Sequence, residues 1–161
     1  NSPREYNSAQ VSGRTIVSTT TNGTKALRAC HPAAAVLPAS FLNLNATAAA
    51  LRDHEFPEII LVGAGTGHEA AYEDVLGIGG LAEALLPLLP SAECSDAVHI
   101  ALAVYRAGRG DLLSAVRRFS RNGRRLLAQP DLAPDVAFCL TENTLDFAAL
   151  LGRDGAIRRL R

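Results

Sequence analysis

Four consecutive apolar residues, Ile59, Ile60, Leu61 and Val62, run directly into three glycines at alternate positions, Gly63, Gly65 and Gly67. An unbroken apolar run containing three β-branched residues reads as a buried strand with both faces covered. Glycine allows the backbone after it to turn sharply or to lie close against a ligand. Two adjacent carboxylates, Glu73 and Asp74, follow where a helical pattern begins. Strand, glycine loop, acidic pair and helix follow one another within residues 58–74, an order that suits holding a phosphate through a metal ion.

The chain before this stretch repeats the alternation. Residues 15–18 (TIVS) have strand character, residues 19–24 (TTTNGT) form a hydroxyl-rich turn, and residues 25–30 read as a short helix. Residues 34–37 are a second short strand candidate, and Ser40 caps a helix over residues 41–54. Short apolar strands alternating with helices predict an α/β protein with a largely parallel sheet. Ligands of such sheets collect at the carboxyl ends of the strands, which sets the loops 19–24 and 63–67 side by side. The second half reads as mostly helical. A helix over residues 72–89 is kinked or divided by its glycines and Pro87, and Ser95 or Asp96 opens another through Tyr105. Leu112, Leu113, Val116 and Phe119 share one face of the next. Residues 136–140 (VAFCL) read as a further buried strand and residues 156–160 as a weak terminal one.

At 161 residues, one domain over residues 1–161 is the simplest organisation. Sixteen basic and sixteen acidic residues cancel, so overall charge gives no argument for nucleic acid or an anionic membrane as partner. No apolar run approaches the length of a bilayer span. Cys30, Cys94 and Cys139 are odd in number and widely spaced, which fits reduced thiols in a cytoplasmic protein better than a disulfide framework or a zinc site. The sequence begins at Asn1 and contains no methionine, from which we expect a fragment or a processed chain.

Each chemical feature has a plain structural reading beside the functional one. Thr20, Thr21, Asn22, Gly23 and Thr24 offer hydroxyls and backbone N–H groups to an anion at a helix start; an Asn-Gly turn with a threonine cap accounts for the same residues. The spacing GxxxxGK[ST] of a phosphate-binding P-loop is absent. Gly65, Thr66 and Gly67 belong to a tight loop in which a GxGxxG dinucleotide fingerprint fails at His68. Glu73 and Asp74 complement a helix dipole, or they bind Mg2+, which favours one or two carboxylates, several waters and a substrate phosphate. Neighbouring helical residues point about 100° apart, so one of the two faces the metal directly. Arg117, Arg118, Arg121, Arg124 and Arg125 form a solvated basic face or recognise an anionic substrate. His99 reads as packed, Cys139 as core, and His68 as a loop histidine able to donate a proton.

Taken in order, NSPREY (residues 1–6), STTTNGTKAL (18–27), SFLNLNATA (40–48), AGTG with EDVLGIGGL (64–81), SDAVHIALAVY (95–105), NGRRL (122–126) and DVAFCL (135–140) resemble the 2-phosphosulfolactate phosphatase family along nearly the whole chain. The resemblance implies a layered α/β/α arrangement around a largely parallel or mixed sheet, incomplete here. It also implies an Mg2+-dependent phosphatase that releases sulfolactate and phosphate in coenzyme M biosynthesis. It points to Glu73 and Asp74 as catalytic and metal-binding residues. Asn1, Ser2, Thr20, Thr21, Asn22, Gly23, Thr24, Gly65, Thr66 and Gly67 would then contact the substrate. Family members carry a further region with a DxxRA(S/T)T-like segment before the NSP motif, and often a cysteine where this chain has Gly63. A truncated sheet exposes apolar surface and predicts self-association, as a homo-oligomer or otherwise. The competing readings are a non-catalytic anion-binding or structural module and a nucleotide-binding α/β protein.

Overall fold

The structure is a computed structural model and describes residues 2–160. Asn1, expected at the site, lies outside the described residues. The chain is helix-rich and carries one small antiparallel sheet. Its α-helices are α1 (Ser8–Val11), α2 (Gly23–Cys30), α3 (Leu44–Asp53), α4 (Tyr72–Leu85), α5 (Asp96–Gly108), α6 (Leu112–Phe119), α7 (Arg121–Leu127) and α8 (Ala133–Cys139). The sheet pairs β1 (Ala149–Leu151) with β2 (Ile157–Arg159), placing Leu150 opposite Arg158.

The core gathers around α4. Leu76, Leu81, Ala82 and Leu85 are buried along it, because α4 is flanked by α3 on one side and α5 on another. A helix packed on more than one side is apolar around much of its circumference, and so lacks a single polar stripe. Gly79 is buried where α4 crosses α5, and a Cβ there would stand 2.2 Å from the Ala101 carbonyl oxygen. The glycine therefore sets how closely the two helices approach. Phe41, Leu44, Ala48 and Leu51 close the core from the α3 side, Tyr105, Leu112 and Val116 from the other. Tyr105 donates its phenolic proton to Glu142 Oε1 at 2.6 Å; burial and that carboxylate push its pKa up to about 12.

Several expectations hold. Helix α2 covers the short helix read over residues 25–30. A 3-10 turn at Phe41–Asn43 followed by α3 replaces the single helix read over 41–54, and the Ser40 and Asn43 side chains form the capping box. The divided helix over 72–89 is α4 followed by the 3-10 turn Leu86–Leu88, which contains Pro87. The terminal strand is β2.

The strand expectations fare differently. Residues 136–140 are helical, in α8, not a buried strand. Pro134 stands near the start of that helix, where its missing N–H is not needed, and Leu132, Val136 and Leu140 recur at helical spacing toward one hollow. A short apolar run cannot be assigned by alternation alone, and here the packing against α7 decides it. Residues 15–18, 34–37 and 59–62 are not helical, but no strand ladder joins them among the described residues. One backbone bond, from Leu151 N–H to the Val36 carbonyl at 2.9 Å, ties the second of these segments to β1. The largely parallel sheet is accordingly not seen among the described residues; the ladder present there is the antiparallel β1–β2 ribbon. His99 is exposed on α5, so the packed-histidine reading fails. Cys139 is exposed at the end of α8 and is not a core residue, and a 3-10 turn at Pro3–Glu5 precedes α1.

Candidate functional site

The glycine loop closes on itself before it reaches α4. Thr66 and Glu69 exchange backbone bonds, Thr66 N–H to the Glu69 carbonyl at 2.9 Å and Glu69 N–H to the Thr66 carbonyl at 3.2 Å. The turn requires glycine at position 65, where φ is +69° and a Cβ would meet the Glu69 carbonyl oxygen at 2.7 Å. Gly65 N–H donates to Asp74 Oδ2 at 2.6 Å. Gly67 N–H approaches Asn22 Oδ1 at 3.5 Å. The two loops that the sequence placed at neighbouring strand ends therefore do meet, through Asn22 and Gly67.

The other loop is held internally. Thr24 N–H donates to Thr20 Oγ1 at 2.9 Å, and the Thr24 hydroxyl donates to the Thr20 carbonyl at the same distance. Asn22 stands at the cap position of α2 without a side-chain capping bond, its amide oxygen being turned toward Gly67. Thr21 is exposed, and Gly23 opens the helix.

Glu73 and Asp74 occupy the first turn of α4 and face different surroundings, as their helical offset requires. Glu73 is enclosed by the joint between α6 and α7. Ser120 Oγ donates to Glu73 Oε2 at 2.6 Å, and Asn122 Nδ2 donates to Glu73 Oε1 at 2.8 Å and to Thr66 Oγ1 at 2.6 Å. Burial pushes the Glu73 carboxyl up, but the Ser120 and Asn122 bonds, its own backbone N–H and the Arg121 charge outweigh it and leave it below the usual range. Asp74 has one strong donor, Gly65 N–H; burial and the neighbouring Glu73 charge leave its pKa raised. The two adjacent acids are thus driven in opposite directions, by the number of donors each receives.

Glu73 opens onto a cavity of about 220 Å³ walled by Thr66, Glu69, Tyr72, Phe119, Arg121 and Asn122. That is below the roughly 300–1,000 Å³ of sites for drug-sized ligands, and suits a small molecule. Among the residues expected at the site, Thr66 and Glu73 line this cavity; Asp74 is not one of its walls and is bonded to Gly65 of the glycine loop, and the residue 20–24 loop does not wall it either, touching the glycine loop through Asn22 and Gly67. Ser2 is elsewhere: its hydroxyl donates to Asp135 Oδ1 at 2.8 Å, and Arg4 Nε pairs with the same oxygen. Asp135 borders a second, mainly apolar hollow of about 370 Å³ that shares Glu73 and Asn122 with the first. His68 is exposed at the turn. Partial burial and the Asp135 charge push the Cys139 thiol up, away from the thiolate a nucleophile needs.

Ser120 and Asn122 are the site residues that residue-by-residue reading missed. The five arginines around them look like one basic helix, yet Ser120 ends α6 and caps α7 by accepting from Gly123 N–H at 2.7 Å. A serine and an asparagine between two amphipathic runs were the available signal.

No three His, Cys, Asp or Glu side chains gather as a metal cage among the described residues. The oxygens available are hard ones: the Glu73 carboxylate and the Thr66 hydroxyl on the cavity, and the Asp74 carboxylate on the next residue, turned toward the glycine loop. Each carboxylate oxygen can accept more than one bond, and Asp74 Oδ1 carries none among the described residues. Such a set fits a cation that keeps most of its waters and takes a phosphate oxygen, the habit of Mg2+, and not a fully protein-enclosed ion.

This helix-rich chain, with its acidic helix start closed over a glycine loop, belongs to the 2-phosphosulpholactate phosphatase family, whose model matches residues 1–153. A probable 2-phosphosulfolactate phosphatase of Thermus thermophilus is 43% identical over 141 residues, covering 86% of this chain and 57% of the relative. Proteins of the same description from Synechococcus sp. and Thermotoga maritima are 35% and 34% identical over 139 and 143 residues, covering 86% and 89% of this chain. The chain spans 57% to 59% of the length of these relatives. No helix among the described residues is long and apolar enough to cross a membrane.

Proposed function

We propose that the protein containing this chain is a phosphoric monoester hydrolase. It cleaves a small phosphorylated acid with the help of Mg2+, on the pattern its relatives are named for: 2-phosphosulfolactate to sulfolactate and phosphate. The observation that carries the reading is one connected group. Asp74 holds Gly65, Asn122 ties Thr66 to Glu73, and Asn22 reaches Gly67. Two loops and two helices thereby converge on a pair of carboxylates beside a small polar cavity. Glu73 and Asp74 would hold the cation, which when bound withdraws charge from phosphoryl oxygens. Gly65 and Thr66 have their N–H groups engaged inside the loop. Phosphoryl contacts therefore fall to the Thr66 hydroxyl, the long-bonded Gly67 N–H and the outward-facing residues of the 20–24 loop. Ser120 and Asn122 fix the Glu73 carboxylate in an ionised state and in one orientation. They are positioning residues, since they act through Glu73.

The layered α/β/α sheet belongs to the same proposal. Val17 and Ile60 are 94% and 73% exposed in segments that have strand composition and no ladder. Strands supplied by the rest of a longer protein, within a single domain, would pair these backbones and cover these side chains. Short of that, self-association into a homo-oligomer would cover them. Three free thiols suit the cytoplasm, and sulfolactate release suits coenzyme M biosynthesis.

Phosphate release by the complete protein tests the function. We expect hydrolysis that requires Mg2+ and is lost in Asp74→Ala. If the complete protein hydrolyses no phosphomonoester with or without Mg2+, the enzymatic reading fails. A non-catalytic anion-binding or structural module then takes its place, the internally satisfied N–H groups of the glycine loop favouring the structural form.

A further inference from the structure

Five arginines crowd residues 117–125, and the structure separates them. Arg118 lies over the Phe119 ring, 4.9 Å from its centroid, and Arg124 Nη1 donates to the Arg118 carbonyl at 2.8 Å. Arg121 alone of the five walls the cavity that Glu73 opens onto. Its guanidinium pairs with Glu69 across the mouth, Nη2 to Oε2 at 3.0 Å, with the two side chains 65% and 68% exposed. An ion pair so exposed is worth little, about 0–1 kcal/mol, so an arriving anion can replace Glu69 at small cost. The backbone pairing of Thr66 with Glu69 ties the two residues together, and both wall the cavity. Arg121 and the Thr66–Asn122–Glu73 group therefore face the same small volume from different walls. Tyr72 and Phe119, with ring centroids 5.2 Å apart, supply the cavity's aromatic surface.

The charges leave a gap that Arg121 fills. A phosphorylated acid brings a phosphoryl group and a carboxylate or sulfonate into a cavity already walled by Glu69 and Glu73. A cation at Glu73 offsets the phosphoryl group only. The second acidic group needs a separate positive partner, and arginine meets a planar carboxylate with two parallel hydrogen bonds.

We propose that Arg121 is the specificity residue of this site: it leaves Glu69 and receives the acidic group of the substrate that is not the phosphate. Glu69 acts as the group's stand-in, holding the guanidinium at the mouth until substrate arrives. The inference rests on the phosphatase reading above and names which of the five arginines selects an acid over a neutral ester.

The test compares two esters of one carbon skeleton in the complete protein. They are 2-phospholactate, which carries the carboxylate, and isopropyl phosphate, which has a methyl group in its place. In Arg121→Gln the ratio of kcat/KM for 2-phospholactate to that for isopropyl phosphate falls about 10- to 100-fold, the ordinary worth of a charged hydrogen-bond pair. The fall is carried by KM, and Arg121→Lys recovers part of it. Glu69→Gln lowers KM for 2-phospholactate by about 2- to 5-fold, the scale of an exposed ion pair. A loss of general structure would slow both esters together and leave the ratio unchanged, which would overturn the proposal, as would a higher 2-phospholactate KM in Glu69→Gln. If the wild-type protein hydrolyses neither ester, the phosphatase reading is decided separately on 2-phosphosulfolactate, and calorimetric titration with sulfolactate decides the role of Arg121. Binding by the wild type that is lost in Arg121→Gln sustains it, whereas no binding, or equal binding by both, refutes it.

Discussion

Two glycines two residues apart on α4, Gly77 and Gly79, carry opposite expectations. A Cβ added at Gly79 would stand 2.2 Å from the Ala101 carbonyl oxygen, 2.6 Å from Tyr105 Cβ and 2.8 Å from the Ala101 carbonyl carbon. Ordinary contacts begin near 3.4 Å, so α4 and α5 would have to separate by about 1 Å, and the obstructing atoms are backbone and a Cβ, none of which can rotate away. Overpacking of a tight core costs about 1–3 kcal/mol, and a backbone obstruction belongs at the upper end. Alanine regains about 1 kcal/mol over glycine in a helix interior, leaving Gly79→Ala about 2 kcal/mol less stable. For a chain of this size that lowers the thermal midpoint by about 4–8 °C. At Gly77 nothing lies within 4 Å of the added Cβ. Gly77→Ala therefore keeps only the helical gain of about 0.5–1 kcal/mol and raises the midpoint by about 1–4 °C. Thermal unfolding followed by far-ultraviolet circular dichroism reads both variants, with Gly77→Ala as the internal control for propensity. A Gly79→Ala protein as stable as Gly77→Ala would refute the close α4–α5 crossing, and with it the frame that fixes Glu73 and Asp74.

The site residues carry pH-dependent expectations. Ser120→Ala removes the donor to Glu73 Oε2 and the cap of α7, costing about 1–2 kcal/mol near neutrality by chemical denaturation. Because the folded pKa of Glu73 is lowered, its share of that stability is present above the unfolded value and lost as pH falls through the folded one. The gap between Ser120→Ala and wild type should therefore narrow in acid, and a gap that widens there would contradict the Ser120–Glu73 bond. Asp74 has the reverse sign. Its pKa is raised, so the stability linked to its proton is present below the unfolded value and lost as pH rises through the folded one. Asp74→Asn stays neutral, and in metal-free buffer it should be more stable than wild type at pH 7 and no more stable near pH 3; an Asn variant less stable at pH 7 would reverse the assignment.

How much of this was legible in the chain depends on the range of the interaction. The Gly65–Gly67 turn, the Ser40–Asn43 capping box and the helices α2 to α6 are local, set by residues within a few positions of one another. So is the divergence of Glu73 and Asp74, which follows from the angle between successive helical residues. The approach of the 19–24 and 63–67 loops is also an expectation of the sequence, although the neighbouring strand ends of one sheet that motivate it are not displayed among the described residues. Residues 136–140 were misread because a five-residue apolar run satisfies a strand and a helix equally, and only packing against α7 and Pro134 at the helix start choose between them. His99 failed for the opposite reason: its apolar neighbours follow a helical pattern, but its own position falls on the face turned to solvent.

The sequence by itself determined the acidic pair behind a glycine loop and the family resemblance, because short-range backbone geometry and residue order suffice for both. Only the tertiary structure decided that Ser120 and Asn122 grip Glu73 from 47 and 49 residues away, and that Arg121 alone among five arginines faces the cavity. Those facts depend on how α6 and α7 lie across the start of α4. That arrangement follows from burying Leu76, Val116 and their neighbours together, a property of the whole core and of no single segment.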